Sequence, residues 1–249
     1  EITSTAGNIV VDAVSAPDTV ILTATAGTIQ EGTADAGVDV TATTLDLNAD
    51  TGIGTAGVAL DISASTLTAD NTTSGVINLD NQATANVTVN SLTTLVAGDI
   101  NYDQTGNVAL NIAGAVSGAG NITISNRGNA AAADTLTIGA AISTSTAGTV
   151  SISTLTRGDI AVNNDVTTAA GGTITLNSSD DINIQAAATS INSGAGGAIN
   201  LNVDTNNNVA ATLDLGGSTL NAGAVNLSGG ANTTAAQRDT LISHDAGNN

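Results

Sequence analysis

The chain has 249 residues, 41% of them hydrophobic, yet it contains one Tyr, no Phe, Trp, Met or Cys, and a single Pro. Three Arg and no Lys stand against 22 acidic residues, for a formal net charge of −19. The absence of Cys excludes disulfide stapling and thiolate chemistry. The charge balance leaves too few cations to bind nucleic acid or to hold the chain on an anionic lipid surface.

A core without aromatics must be filled by Val, Ile, Leu and Ala in repeated layers. β-Branched Thr, Val and Ile favour strands, and the 28 glycines together with abundant Asn and Asp suit the turns between them. In chain order, Glu1 leads into Gly7-Asn-Ile-Val-Val11, which reads as a strand. Neither a basic-then-apolar leader nor an initiator Met opens the chain, so a mature chain or an excised piece of a longer one is expected. No run approaches the ~18 apolar residues of a membrane span, so no membrane insertion is expected of this segment. Gly27-Thr-Ile continues the strand pattern, but Gly52 to Gly57 is irregular, so the array is less regular before about residue 57.

From there a pentapeptide recurs: Gly, any residue, Ile or Val, a small polar residue, then Leu, Ile or Tyr. It stands at Gly75-Val-Ile-Asn-Leu79, Gly98-Asp-Ile-Asn-Tyr102, Gly120-Asn-Ile-Thr-Ile124 and Gly148-Thr-Val-Ser-Ile152. It continues at Gly172-Thr-Ile-Thr-Leu176, Gly197-Ala-Ile-Asn-Leu201 and Gly223-Ala-Val-Asn-Leu227. Successive glycines lie 23, 22, 28, 24, 25 and 26 residues apart, a period that signals a solenoid.

One repeat holds about three apolar clusters with period-2 alternation, as in Val150-Ser-Ile152, Ile160-Ala-Val162 and Val166. The expected fold is all-β, a parallel β-helix solenoid of triangular section with about three short strands per coil of ~22–28 residues. About ten coils at ~4.8 Å would make a rod of about 50 Å. The recurring glycines mark a corner where positive φ or close backbone approach is needed. An Ala-rich insertion before Asp134 is expected to bulge from the 28-residue coil. The array runs over residues 1–230, and 231–249 reads as a polar tail or terminal strand, with no evident polar cap at either end.

The strings Gly120-Asn-Ile-Thr-Ile, Gly158-Asp-Ile-Ala-Val and Gly172-Thr-Ile-Thr-Leu-Asn resemble the shaft repeats of filamentous-haemagglutinin-type exoproteins, which are secreted by the two-partner route and related to autotransporter passengers. The resemblance covers most of residues 50–230. It implies a right-handed parallel β-helix on a bacterial surface, acting as an adhesin stalk.

Arg157-Gly158-Asp159 is an integrin-type tripeptide, and the resemblance implies an adhesive use for it. Against that, Gly158-Asp-Ile repeats the corner motif of Gly98-Asp-Ile, which makes Asp159 and Asp99 equivalent turn residues. Asp180-Asp181 with Asp99 and Asp159 are a candidate Ca²⁺ cluster, since stacked carboxylates supply hard oxygen ligands. The calcium β-roll signature Gly-Gly-x-Gly-x-Asp is missing, so turn capping by Asp is the favoured reading and no cofactor is expected.

Catalysis is not expected: a polysaccharide-cleaving cleft needs grouped carboxylates beside cations, and one His (His244) with three scattered Arg cannot build it. Thr23-Ala-Thr25, Thr41-Ala-Thr43 and Thr66-Leu-Thr68 do not recur once per coil, which favours ordinary strand threonine over an ice-binding ladder. Asn-x-Ser/Thr triplets begin at Asn71, Asn86, Asn121, Asn177, Asn226 and Asn232, and Tyr102 takes a core position. The expected role is an extracellular, non-catalytic shaft at a bacterial cell surface, meeting ligands on host or neighbouring cells. The alternative is a filament subunit that associates end to end through uncapped coils.

Overall fold

Alternating apolar and polar residues become strands whose inward side chains are buried one coil above another. The structure, a computed structural model, describes residues 1–127, 134–184, 189–206, 211–216 and 218–230. The insertion ahead of Asp134 and the 231–249 segment, with Asn232, Arg238 and His244, lie outside the described residues. The described chain is all-β and parallel throughout, a β-solenoid whose coils stack about 24 residues apart in about nine turns.

The stack is clearest in a first column of strands that begins at each corner glycine. One core position runs through Ile9, Ile29, Ile53, Ile77, Ile100, Ile122, Val150, Ile174, Ile199 and Val225, each paired in register with the next. Ile29 through Ile199 in this column are fully buried, and nine steps of ~4.8 Å make it about 43 Å long. A second column stacks Leu67, Val89, Ile112, Ile138, Val162 and Ile184. A third stacks Ala69, Leu92, Val116, Ile142, Val166, Ile191 and Leu220. The core therefore sits between three columns of β-branched and Leu side chains, with no large residue except Tyr102.

Two details depart from a uniform coil. In the N-terminal coils the columns join into long strands, Val40–Ala49 and Leu60–Asn71, middle coils split them, as in Leu110–Ile112 and Val116–Gly118, and joined strands return at Ser190–Val203 and Thr219–Gly229. The irregular Gly52 to Gly57 stretch keeps its place in the stack by looping out. Ile53 pairs with Ile77, and the next residue to rejoin is Leu60, opposite Leu79. Residues 54–59 between them close on the Thr55 N–H to Val58 C=O bond of 2.8 Å.

Candidate functional site

The corner glycines are set by their neighbours one coil back. A Cβ on Gly98 would overlap the Gly75 carbonyl, one on Gly120 the Gly98 carbonyl, and one on Gly148 would come within 2.8 Å of the Gly120 oxygen. Gly172 and Gly197 meet the preceding corner glycine in the same way, and Gly223 packs on Gly196 and Gly197. Only Gly75 (φ +98°) and Gly98 (φ +130°) of these seven also take positive φ. Close backbone approach is thus the common constraint at this corner.

The residue just before the first core position of a strand is often Asn or Asp. Its side chain accepts the backbone N–H of the equivalent residue in the next coil. Asn8 accepts from Thr28 (3.0 Å), Asp99 from Asn121 (2.8 Å), Asn121 from Thr149 (2.9 Å), Asp165 from Ser190 (2.8 Å) and Asp181 from Thr212 (2.5 Å). Asp159 does the same for the Asp181 N–H at 3.2 Å. Asp99 and Asp159 share this job but not a column: Ile100 belongs to the first column and Ile160 to the second, opposite Leu136 and Ile182. The equivalence expected from Gly-Asp-Ile is therefore local, not positional.

Of the acidic residues singled out in the sequence, Asp159, Asp180 and Asp181 come together, each offering an oxygen within 4.8 Å of the others, and Asp99 does not join them. Burial, then the charges of Asp181 and Asp159, hold the Asp180 carboxyl above the usual carboxylate range, with Arg157 pulling the other way. Burial also raises Asp181, opposed by the bond from the Thr212 backbone. Among the described residues, these three carboxylates are a group that can chelate a divalent cation, with further oxygens needed to complete a Ca²⁺ shell.

The Arg157-Gly158-Asp159 tripeptide contributes Asp159 to this cluster. Gly158 is buried, and its carbonyl accepts from the hydroxyls of Thr154 (2.7 Å) and Ser178 (2.8 Å). Arg157 and Asp159 are half-buried, and the Asp159 carboxylate is already engaged by the next coil. The tripeptide thus lies in a tight inter-column corner, not on a projecting loop.

The sequence reading missed two further groups. The first is a buried polar column two residues beyond each of the first five pentapeptides: Asn81, Gln104, Asn126, Thr154 and Ser178, all at most 2% exposed. Asn81 Nδ2 donates to the Tyr102 hydroxyl (3.0 Å), which donates to Gln104 Oε1 (2.7 Å), so the single aromatic is a link in this column. Reading the motif as a heptapeptide, Gly75 to Asn81 and Gly98 to Gln104, would have exposed it.

The second is an aspartate ladder on one outward row. Asp61, Asp80 and Asp103 are paired on successive coils, with Asp39 one coil earlier and bonded through its N–H to the Asp61 carbonyl (2.8 Å). Asp103 is held by Arg127 (2.7 Å) and by the Ser125 hydroxyl, and Asp80 by the Thr105 hydroxyl (2.5 Å). Asp39 and Asp61 are only 5% and 6% exposed, and both carboxyls are pushed up to about 6, first by burial. The spacing of 22, 19 and 23 residues between these aspartates is the signal that would have found them.

Two shallow grooves run across the coils. One is lined by small residues such as Ser15, Pro17, Thr41, Ser63 and Thr84. The other includes Asp70, Thr93, Leu95 and Ser143, and there Asp70 is bound by the hydroxyls of Ser91 (2.6 Å) and Thr93 (2.5 Å). Compared with known proteins, the chain matches no family model, no curated protein and no solved structure.

Proposed function

We propose that this chain is a rigid, non-catalytic shaft of a bacterial surface protein, of the kind its repeats resemble in filamentous-haemagglutinin-type exoproteins. The carrying observation is the ten-position core column from Ile9 to Val225, which keeps one register through irregular coils. Such a stack transmits position along its axis, because each coil is bonded to the next by backbone and side chain alike. Outward rows of Asn, Ser, Thr and Asp suit a solvated stalk more than an enzyme cleft. Cryo-electron microscopy of the isolated chain tests the shaft: discrete rods about 45 Å long are expected, and compact particles without the axial repeat would sink it. Labelling of intact producing cells with antibody to the chain tests its location. Signal before lysis supports a surface role, and signal only after lysis overturns it.

End-to-end assembly is a second reading, favoured by the half-buried core residues Leu220, Val225 and Leu227 of the strand Thr219–Gly229. A further coil in the same register would cover them. In the same images, continuous fibres with chains in axial register would select this reading, and single rods would reject it.

A further inference from the structure

The ladder Asp39–Asp61–Asp80–Asp103 is compensated unevenly. Its upper two members have partners: Arg127 and Ser125 on Asp103, Thr105 on Asp80. Its lower two are the most buried, and what faces them is acidic. Glu31, Asp35 and Asp12 act on Asp39; Asp80, Glu31, Asp39 and Asp35 act on Asp61. The one opposing influence on Asp39 is a hydrogen bond from the Asp61 backbone, and Arg127 acts on Asp80 rather than on this pair.

The surrounding turn adds to the crowding. The Asp12 carboxylate packs against Gly32, Glu31 Oε1 accepts the Asp35 N–H (2.9 Å), and Asp35 Oδ1 accepts the Gly37 N–H (2.6 Å). Glu31 Oε2 and Asp39 Oδ2 are buried without a hydrogen-bond partner. A buried carboxylate oxygen with no donor is costly, whereas a protonated carboxyl supplies its own donor and removes one charge.

We propose that Asp39 and Asp61 form a proton-controlled latch on the N-terminal coils: as neutral carboxyls they hold residues 31–62 closed on the stack, and as carboxylates they repel one another and loosen it. The direction follows from linkage. A carboxyl that binds its proton more tightly folded than unfolded destabilises the fold once ionised. That penalty is fully present above about pH 6, where both groups titrate in the folded chain, and is relieved as pH falls through 6 toward the ordinary value of 3.8. The loosening stays local, because solenoid coils interact only with their neighbours and the rest of the ladder is paired. A shaft so built is stiffest in mildly acidic surroundings, and its first coils soften near neutrality.

Hydrogen exchange of the full chain, read by mass spectrometry near pH 5 and near pH 7.5 and corrected for intrinsic rates, tests the latch. Peptides within residues 29–64 should lose on the order of tenfold or more protection at the higher pH, while those within 122–177 keep theirs. The Asp39→Asn, Asp61→Asn double variant should be as protected at pH 7.5 as the natural chain is at pH 5. Each single variant, checked for fold by circular dichroism, should remove part of the effect. Equal protection of the natural chain at both pH values overturns the proposal, as does a pH effect that persists in the double variant. Should calcium alone restore protection with no response to protons, the cluster is a cation site and the latch is overturned.

Discussion

Gly98 illustrates how much a single residue decides in this fold. Its φ of +130° is unfavourable for an L side chain, and a Cβ there would overlap the Gly75 carbonyl of the coil below. Gly98→Ala is expected to cost about 2–4 kcal/mol, through strain and the displacement of one coil from the next. Gly57→Ala, where a Cβ meets nothing within 4 Å, should stay within about 0.5 kcal/mol. Urea unfolding followed by tyrosine fluorescence separates the two. Tyr102 makes that measurement simple, being the single tyrosine and 1% exposed. Burial holds its hydroxyl far above the ordinary phenol range. A group so shifted favours the fold while neutral, and that contribution is lost as pH rises beyond the ordinary value near 10. An alkaline titration by absorbance should show no phenolate while the strand signal persists, then abrupt ionisation on unfolding. Gradual ionisation of the folded chain would contradict the buried Asn81–Tyr102–Gln104 link.

At the scale of the strand, the recurring device is the Asn or Asp that precedes the first core residue and caps the next coil. Asn121 accepts both the N–H (2.9 Å) and the hydroxyl (3.0 Å) of Thr149, across a step of 28 residues. Asn121→Ala should cost about 0.5–1.5 kcal/mol, the modest value reflecting the exposed setting of the bond. The same substitution at Asn101, an outward strand residue, should cost less; equal losses in thermal unfolding would deny the cap its role. The residue type was legible in the chain, since Gly-Asn-Ile and Gly-Asp-Ile recur at visible corners. The partner was not, because it sits one coil later. For the same reason local sequence equates Asp159 with Asp99, although their strands belong to different columns.

For the molecule as a whole, stability is nearly a sum over coils and the contacts between them, so damage in the middle should divide it. Ser151 lies in the first column between Thr123 and Thr175, away from both ends. A proline there removes a backbone donor and clashes with the ladder, at a cost of about 3 kcal/mol or more. Ser151→Pro is therefore expected to turn one cooperative transition into two, seen by calorimetry as separate melting of the halves. A single transition at lower temperature would mean that the chain folds as one unit with no nearest-neighbour character.

Strand content, period and the inward apolar side chains were determined by the sequence alone, because each is a local or periodic property. Alternation selects the inward residues, β-branching selects strands, and the glycine spacing selects the coil length. Even the irregular Gly52 to Gly57 stretch disturbed only the count, since Ile53 and Leu60 keep their places in the stack. Only the tertiary structure decided which side chains lie one above another. The spacing of Asp39 and Asp61, and of Asn81 and Gln104, is visible in the sequence, but their burial is not. That burial, and with it the raised carboxyls of the two aspartates, arises because coils about 24 residues apart are brought to about 4.8 Å, a distance at which like charges repel and amides bond.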